Sequence, residues 1–131
     1  MIVDTSALIA ILFHEPEAPL FAKALAGTDV CRISAVCLVE ASIVVETYAK
    51  DLGVRQLDML LRKAAVRVEP VTEEQAYTAR QAYTDYGKGR HAAGLNLGDC
   101  FSYALAKAYG EPLLFKGADF TKTDVGKVTI R

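Results

Sequence analysis

The sequence predicts a three-layer α/β/α domain around a mainly parallel sheet of four to five strands. Short, almost wholly apolar runs alternate along the chain with segments of helical periodicity. Strands that are buried on both faces read as continuous apolar runs, and this alternation is typical of a parallel sheet covered by helices. At 131 residues, the chain fits a single domain over 1–131.

The first half of the chain predicts two strands and three helices. The strands lie at 1–3 and 30–33, and the helices at 7–13, 17–26 and 35–50. Asp4-Thr5-Ser6 and Ser34 are residue types that cap helix N-termini. Gly27 and Gly53 are expected to end the second and third helices, because glycine commonly follows a helix C-terminus.

The second half continues the same alternation. An amphipathic segment at 54–65 leads into a strand at 66–69, which precedes Pro70 as an edge strand would. Thr72 with Gln75 forms a capping-box pattern for a helix that stops at Gly87. A glycine-rich basic loop at 88–98 follows, and Asp99 is expected to cap a helix to residue 109. The last predicted strands are 113–115 and 128–130.

Composition excludes several classes of protein. Hydrophobic residues make up 52% of the chain and charged residues 24%, as in a folded globular protein. The net charge of −1 lacks the basic excess of a protein that coats nucleic acid. The longest apolar run, 7–13, is far below the ~20 residues of a membrane span, and no export signal is visible, so we expect a cytoplasmic protein. Three cysteines without CxxC spacing indicate buried thiols.

Four acidic residues fall where such a fold places its ligand site. Asp4 and Asp119 follow apolar strands, Glu40 lies in the helix after the second strand, and Asp99 begins a late helix. Ligands of open parallel sheets bind at the carboxyl ends of the strands, so all four can face one crevice. Taken singly, each is better explained as a helix cap, a turn former or a solvated residue, and only their common placement favours a site.

A shared crevice would have a clear chemical consequence. Clustered carboxylates repel one another and usually hold a cation, and oxygen-only ligands favour Mg²⁺, with Mn²⁺ as a substitute. Such an ion activates water and polarises a phosphoryl oxygen, which suits phosphodiester hydrolysis. Whether one or two ions bind remains open from the sequence.

Four segments carry a resemblance to a known family. They are MIVDTSAL at 1–8, EA at 40–41, LGDCFSYA at 97–104 and LLFKGADFTKTD at 113–124. Together they resemble the motifs of PIN-domain proteins, and in particular the VapC toxins of bacterial VapBC toxin–antitoxin pairs. The resemblance runs from the first residue to nearly the last, and none of the four acids departs from the pattern.

The resemblance implies an endoribonuclease that cuts RNA, forms a homodimer and is neutralised by a VapB antitoxin whose C-terminal segment lies in a groove beside the site. It implies that Asp4 and Asp99 are the principal metal ligands and that Glu40 and Asp119 complete the acidic site. Further candidates for supporting the metal or its water are Thr5, Ser6 and Asp124.

Other residues are weaker candidates. Lys88, Arg90 and Lys116 could contact RNA phosphates, although solvated surface positions explain them equally well. His14 and His91 lack the paired spacing of a zinc site.

Three alternatives to a nuclease also remain. A phosphohydrolase would normally need an acid two residues after Asp4, where Ser6 stands, and a receiver domain would need an acidic pair near the first strand. Sequence motifs alone do not distinguish a nuclease from a binding module that kept the fold but lost catalysis.

Overall fold

The computed structural model describes all 131 residues. Its elements in chain order are β1 (Ile2–Val3), α1 (Thr5–Leu12), α2 (Ala18–Ala26), β2 (Arg32–Ser34), α3 (Ala35–Lys63), β3 (Arg67–Glu69), α4 (Glu73–Tyr86), α5 (Leu97–Tyr109), β4 (Leu113–Leu114) and a 3₁₀ turn at Asp119–Lys122. The four strands form one sheet in the order β3-β2-β1-β4, and every pairing is parallel. The predicted fold class is confirmed.

The sheet separates two apolar cores, which explains the three layers. Ile2 and Val3 are consecutive in β1, so their side chains point to opposite faces of the sheet. Ile2 belongs to a core built largely from α4 and α5, and Val3 belongs to a second core built largely from α1, α2 and α3. Both side chains are fully buried. The central strand is therefore covered on both sides, as its apolar sequence predicts.

Most of the predicted boundaries hold within a few residues. Thr72 caps α4 by accepting a hydrogen bond from the Gln75 N–H at 3.1 Å. Gly110 ends α5 with a φ of 62°, a left-handed conformation that glycine adopts without strain. β3 is an edge strand, as the proline after it indicates. Cys31, Cys37 and Cys100 are all buried free thiols, as expected.

The prediction that Gly53 ends a helix is wrong. The predicted helices at 35–50 and 54–65 are two arms of α3 joined across a kink at Lys50, where φ is 54° and ψ is −144°. Gly53 lies inside the kinked helix, where a β-carbon would come within 2.6 Å of the Val45 carbonyl oxygen. Glycine therefore serves here for close backbone approach and not as a helix stop.

The prediction of a strand at 128–130 is also wrong. The chain makes only an isolated parallel bridge between Leu113 and Lys127, supported by a 3.0 Å hydrogen bond from the Val128 N–H to the Leu113 carbonyl. The sheet consequently ends at β4. None of the helices has both the length and the apolar character needed to span a bilayer.

The sheet topology creates the site. Because β1, β2 and β4 are parallel neighbours, their carboxyl ends meet at one edge. The Asp4 N–H donates to the Leu114 carbonyl at 2.9 Å, which fixes the end of β1 against the end of β4. The chain leaves this edge into α1 at Thr5 and into α3 at Ala35. Side chains from several separate segments therefore gather there.

Candidate active site

One crevice at this edge of the sheet brings together all four acids singled out in the sequence. Asp4 follows β1, Glu40 lies on α3, Asp99 lies on α5, and Asp119 begins the 3₁₀ turn. The crevice has a volume of about 490 Å³. The residues that line it are Asp4, Thr5, Ser6, Ile9, Glu15, Glu40, Val44, Asn96, Asp99, Lys116, Asp119 and Phe120.

Asp4 is the most rigidly held of the four. Its side chain caps α1, and the residue is only 3% exposed. Oδ2 accepts hydrogen bonds from the N–H and the hydroxyl of Ser6, at 3.0 and 2.6 Å. Oδ1 accepts a 2.5 Å hydrogen bond from the buried hydroxyl of Ser102. Hydrogen bonds to the charged form of a carboxylate stabilise it, so these donors offset the burial of Asp4.

Glu40 approaches the start of α5 at a glycine. A β-carbon on Gly98 would lie 2.3 Å from Oε2 of Glu40, so no larger residue fits at position 98 while the carboxylate stays where it is. Burial raises the pKa of Glu40, a hydrogen bond from the Thr5 side chain opposes this, and the charge of Asp4 adds to the increase. The Thr5 hydroxyl also lies 3.1 Å from the Cys37 carbonyl oxygen, so its one proton is shared between that oxygen and the Glu40 carboxylate.

Asp99 occupies a different helix position from the predicted one. Asn96 is the N-cap of α5 and Asp99 is the third helical residue, in a reciprocal capping box with hydrogen bonds of 2.9 and 3.1 Å. The spacing Asn-x-x-Asp carries this signal, but the sequence reading placed the cap three residues too late. The box holds the Asp99 carboxylate at the N-terminus of α5, beside the crevice.

The charges of the other three acids act on the Asp99 carboxyl group. Burial raises the pKa of its carboxyl group, the hydrogen bond from the Asn96 N–H opposes this, and the charges of Asp4, Asp119 and Glu40 raise it further, to about 7. Each of the other three acids therefore acts on Asp99 electrostatically. A cation in the crevice would relieve this repulsion.

Lys116 and Glu15 bring two further charges to the crevice. The sequence did not predict that these two residues pair. The Lys116 ammonium forms ion pairs with Glu15 and with Glu17, the latter at 3.1 Å, and these hydrogen bonds raise its pKa. The Lys116 N–H also donates to the Ser6 hydroxyl at 3.0 Å. Glu15 was missed because it lies in a turn after α1 with no motif of its own.

Three other candidates lie outside the crevice. Asp124 is bound to the Tyr103 hydroxyl at 2.6 Å and to the Lys107 ammonium at 2.7 Å, and both interactions lower its pKa. The structure does not bring Asp124, a candidate for supporting the metal or its water, into the crevice with the four acids. Lys88 and Arg90 are exposed and do not line the crevice, and the Arg90 guanidinium stacks 5.5 Å from the centre of the Tyr83 ring.

The donor set fits a hard divalent cation. The crevice offers carboxylates, hydroxyls and an amide, with no thiol or imidazole on its lining. The structure has no group of three or more acidic, histidine or cysteine side chains close enough to enclose an ion. Mg²⁺ needs no such cage, because it commonly binds through one or two carboxylates and keeps several of its waters. The carboxylates on the crevice lining are of the type that such binding needs.

Comparison with known proteins gives both a family and a fold. The family model for the PIN domain matches residues 1–126. A protein named ribonuclease VapC from Mycolicibacterium smegmatis is 52% identical over 128 residues, which cover 98% of this chain and 99% of the relative. High identity over almost the whole of both chains means that the match is not confined to one motif.

Two solved structures share the fold at low identity. VapC20 of Mycobacterium tuberculosis, described as a Sarcin-Ricin loop cleaving toxin, has a TM-score of 0.79 at 18% identity and covers 97% of each chain. VapBC2 of Rickettsia felis, bound to a DNA fragment from its promoter, has a TM-score of 0.76 at 16% identity and covers 99% of this chain and 98% of the other. The whole chain therefore adopts this architecture.

The raised pKa of Asp99, caused first by burial and then by the neighbouring charges, leads to a stability prediction for the metal-free protein. The pKa of the Asp99 carboxyl group is about 7 in the folded protein, against 3.8 for the unperturbed group. This difference lowers the free energy of unfolding of the protein as the pH rises between those two values. Asp99→Asn keeps an oxygen for the Asn96 N–H and removes the charge. We expect it to stabilise the protein by roughly 1–2 kcal/mol at pH 8, with the gain vanishing near pH 4.

Urea unfolding in EDTA at several pH values measures this effect. Asp58→Asn is the matched control, because Asp58 is an exposed acid on α3 that makes no ion pair. We expect the control to change stability by less than about 0.5 kcal/mol at every pH. An Asp99→Asn protein that is less stable than the parent at pH 8 would contradict the electrostatic account.

Proposed function

This chain belongs to the PIN-domain family and to its VapC branch, and on that basis we propose that it is a Mg²⁺-dependent endoribonuclease, the toxin of a VapBC toxin–antitoxin module. The observation that carries the proposal is the crevice with four carboxylates, in which burial and then the charges of the other three raise the pKa of Asp99. The ribonuclease name of the 52% identical relative supports the same activity.

In the proposed mechanism, Asp4 and Asp99 would hold the cation. When bound there, Mg²⁺ or Mn²⁺ would make a water more acidic and would polarise a phosphoryl oxygen of the RNA. The chain's own contribution is to keep the two ligands oriented, Asp4 through Ser6 and Asp99 through Asn96. Glu40 and Asp119 complete the acidic pocket, where a carboxylate that is not bound to metal can accept the proton of the attacking water.

The geometry favours this chemistry over a phosphoaspartyl enzyme. An enzyme of that class normally needs a second acid two positions after the attacking aspartate. The residue two positions after Asp4 is Ser6, whose N–H and hydroxyl both donate to Oδ2 of Asp4. The chain therefore lacks an acid at the position where such enzymes carry one.

The three basic candidates for RNA contact differ in whether their cationic groups are free to bind a phosphate. The Lys116 ammonium is engaged by Glu15 and Glu17, so its charge is already partly neutralised. Lys88 and Arg90 are exposed and form no ion pair with a carboxylate. We therefore assign phosphate contact outside the crevice to Lys88 and Arg90, and a charge-balancing role inside it to Lys116.

The proposal includes two protein partners, a second copy of this chain and a VapB antitoxin. VapBC2 of Rickettsia felis is a solved complex with the same fold as this chain. An apolar face beside the crevice supports a protein interface here: Val39, Ile43 and Leu97 are 57%, 59% and 71% exposed. Large exposed apolar side chains that cluster on one face commonly mark a protein interface.

Cleavage of RNA by the purified chain tests the activity. We expect cleavage with Mg²⁺ or Mn²⁺, none with EDTA, and a loss of at least about 100-fold in Asp99→Asn, because a metal ligand and its charge are removed. Asp58→Asn should retain full activity. Cleavage that persists in EDTA, or in Asp99→Asn at the parental rate, would exclude this site.

The same assay tests the RNA contacts. Arg90→Gln should raise KM with little change in kcat and should make binding less sensitive to salt, because one phosphate contact is lost. An unchanged KM and an unchanged salt dependence would remove Arg90 from the RNA-binding surface.

The partners are tested with purified components. Sedimentation should show a dimer of the chain, and addition of its cognate VapB protein should suppress cleavage in proportion to the complex formed. A chain that binds VapB but cuts no RNA under any metal condition would favour the binding-module alternative. A monomer whose cleavage is unaffected by VapB would contradict both assigned partners.

A further inference from the structure

Ser102 lies on the buried side of α5, one helical turn after Gly98, and it faces the acidic crevice from beneath. The residue is 1% exposed, and its hydroxyl is 2.5 Å from Oδ1 of Asp4, which is 98 positions away in the chain. A buried serine within a helix often donates to the carbonyl four residues earlier. Ser42 does so in α3, with a 2.8 Å bond to the Leu38 carbonyl.

The direction of the hydrogen bonds around Ser102 follows from the chemistry of its neighbours. An ionised carboxylate can only accept, so the Ser102 proton points to Asp4. The sulfur of Cys37 is 3.1 Å from the Ser102 oxygen and 3.4 Å from the Gly98 carbonyl oxygen, so its one proton is directed at one of these two acceptors. Burial is the main cause of the raised pKa of Cys37, about 12, which keeps the thiol protonated. The Ser102 hydroxyl therefore has Asp4 as the acceptor of its own proton.

The Asp4 carboxylate has about four acceptor positions, two on each oxygen. Ser6 occupies both positions on Oδ2, through its N–H and its hydroxyl. Ser102 occupies one position on Oδ1. The remaining acceptor position of the carboxylate therefore belongs to Oδ1, the oxygen that Ser102 holds.

We propose that Ser102 is a positioning residue that orients Asp4 so that the free acceptor position of Oδ1 is available to a divalent cation. The inference rests on the proposed function, because it concerns the same cation. Groups that hold a metal ligand from behind fix its orientation, and their loss typically lowers metal affinity about 10- to 100-fold. Because Ser102 lies on α5, the metal affinity would also depend on the position of this helix, which carries Asp99.

Binding of Mn²⁺ to the purified full chain, followed by the EPR signal of the free ion, tests this role without relying on activity. Ser102→Ala should weaken Mn²⁺ binding about 10- to 100-fold. Ser102→Thr, which keeps the hydroxyl, should restore most of the affinity. Ser42→Ala is the matched control, because it removes a helical serine hydroxyl that does not contact the crevice. Melting temperatures without metal establish that each variant is folded.

The outcomes separate this inference from the proposed function. Parental Mn²⁺ affinity in Ser102→Ala would overturn the role of Ser102, while metal-dependent cleavage by the parent chain would leave the nuclease assignment intact. An equal loss of affinity in Ser102→Ala and Ser102→Thr would also overturn it, since packing and not the hydroxyl would then be responsible. A parent chain that neither binds Mn²⁺ nor cleaves RNA would refute both.

Discussion

Electrostatic repulsion among four carboxylates in one crevice is the constraint on which the rest of the site depends. Parallel strands bring the chain to a single edge several times, and two of the acids lie at or close behind strand ends. Without compensation the cluster would destabilise the fold, as the raised pKa of Asp99 indicates. Hydrogen-bond donors hold Asp4 and Asp99, and we propose that a cation offsets the repulsion that remains.

The supporting residues differ from one acid to the next. Ser6 and Ser102 hold the two oxygens of Asp4, and Asn96 holds Asp99 through the capping box. The Glu40 carboxylate fits because Gly98 has no β-carbon, and the Glu40 carboxylate fills the space that is left. α5 contributes to all three of these arrangements, so a shift of this helix would disturb most of the site at once.

The sequence was sufficient to predict the layers and the positions of the four strands of the sheet, and it singled out the four acids that line the crevice, because these follow from local patterns. The further strand predicted at 128–130 is absent, since that segment makes only an isolated bridge. Asp4 after an apolar run, and Asp119 a few residues after another, are visible without any knowledge of contacts. Ser102 and Glu15 could not be found in this way, since their roles depend on residues about 100 positions distant. Asp124 was misplaced for the converse reason: its motif suggested the site, but Tyr103 and Lys107 hold it elsewhere.

We propose that the acidic crevice binds a divalent cation through Asp4 and Asp99. Anomalous diffraction from a crystal of the full chain soaked in Mn²⁺ tests this binding most directly. We expect a manganese peak within about 2.0–2.3 Å of an oxygen of each of these two carboxylates. Manganese bound only outside the crevice, or a crevice that stays empty at millimolar Mn²⁺, would contradict this mode of binding.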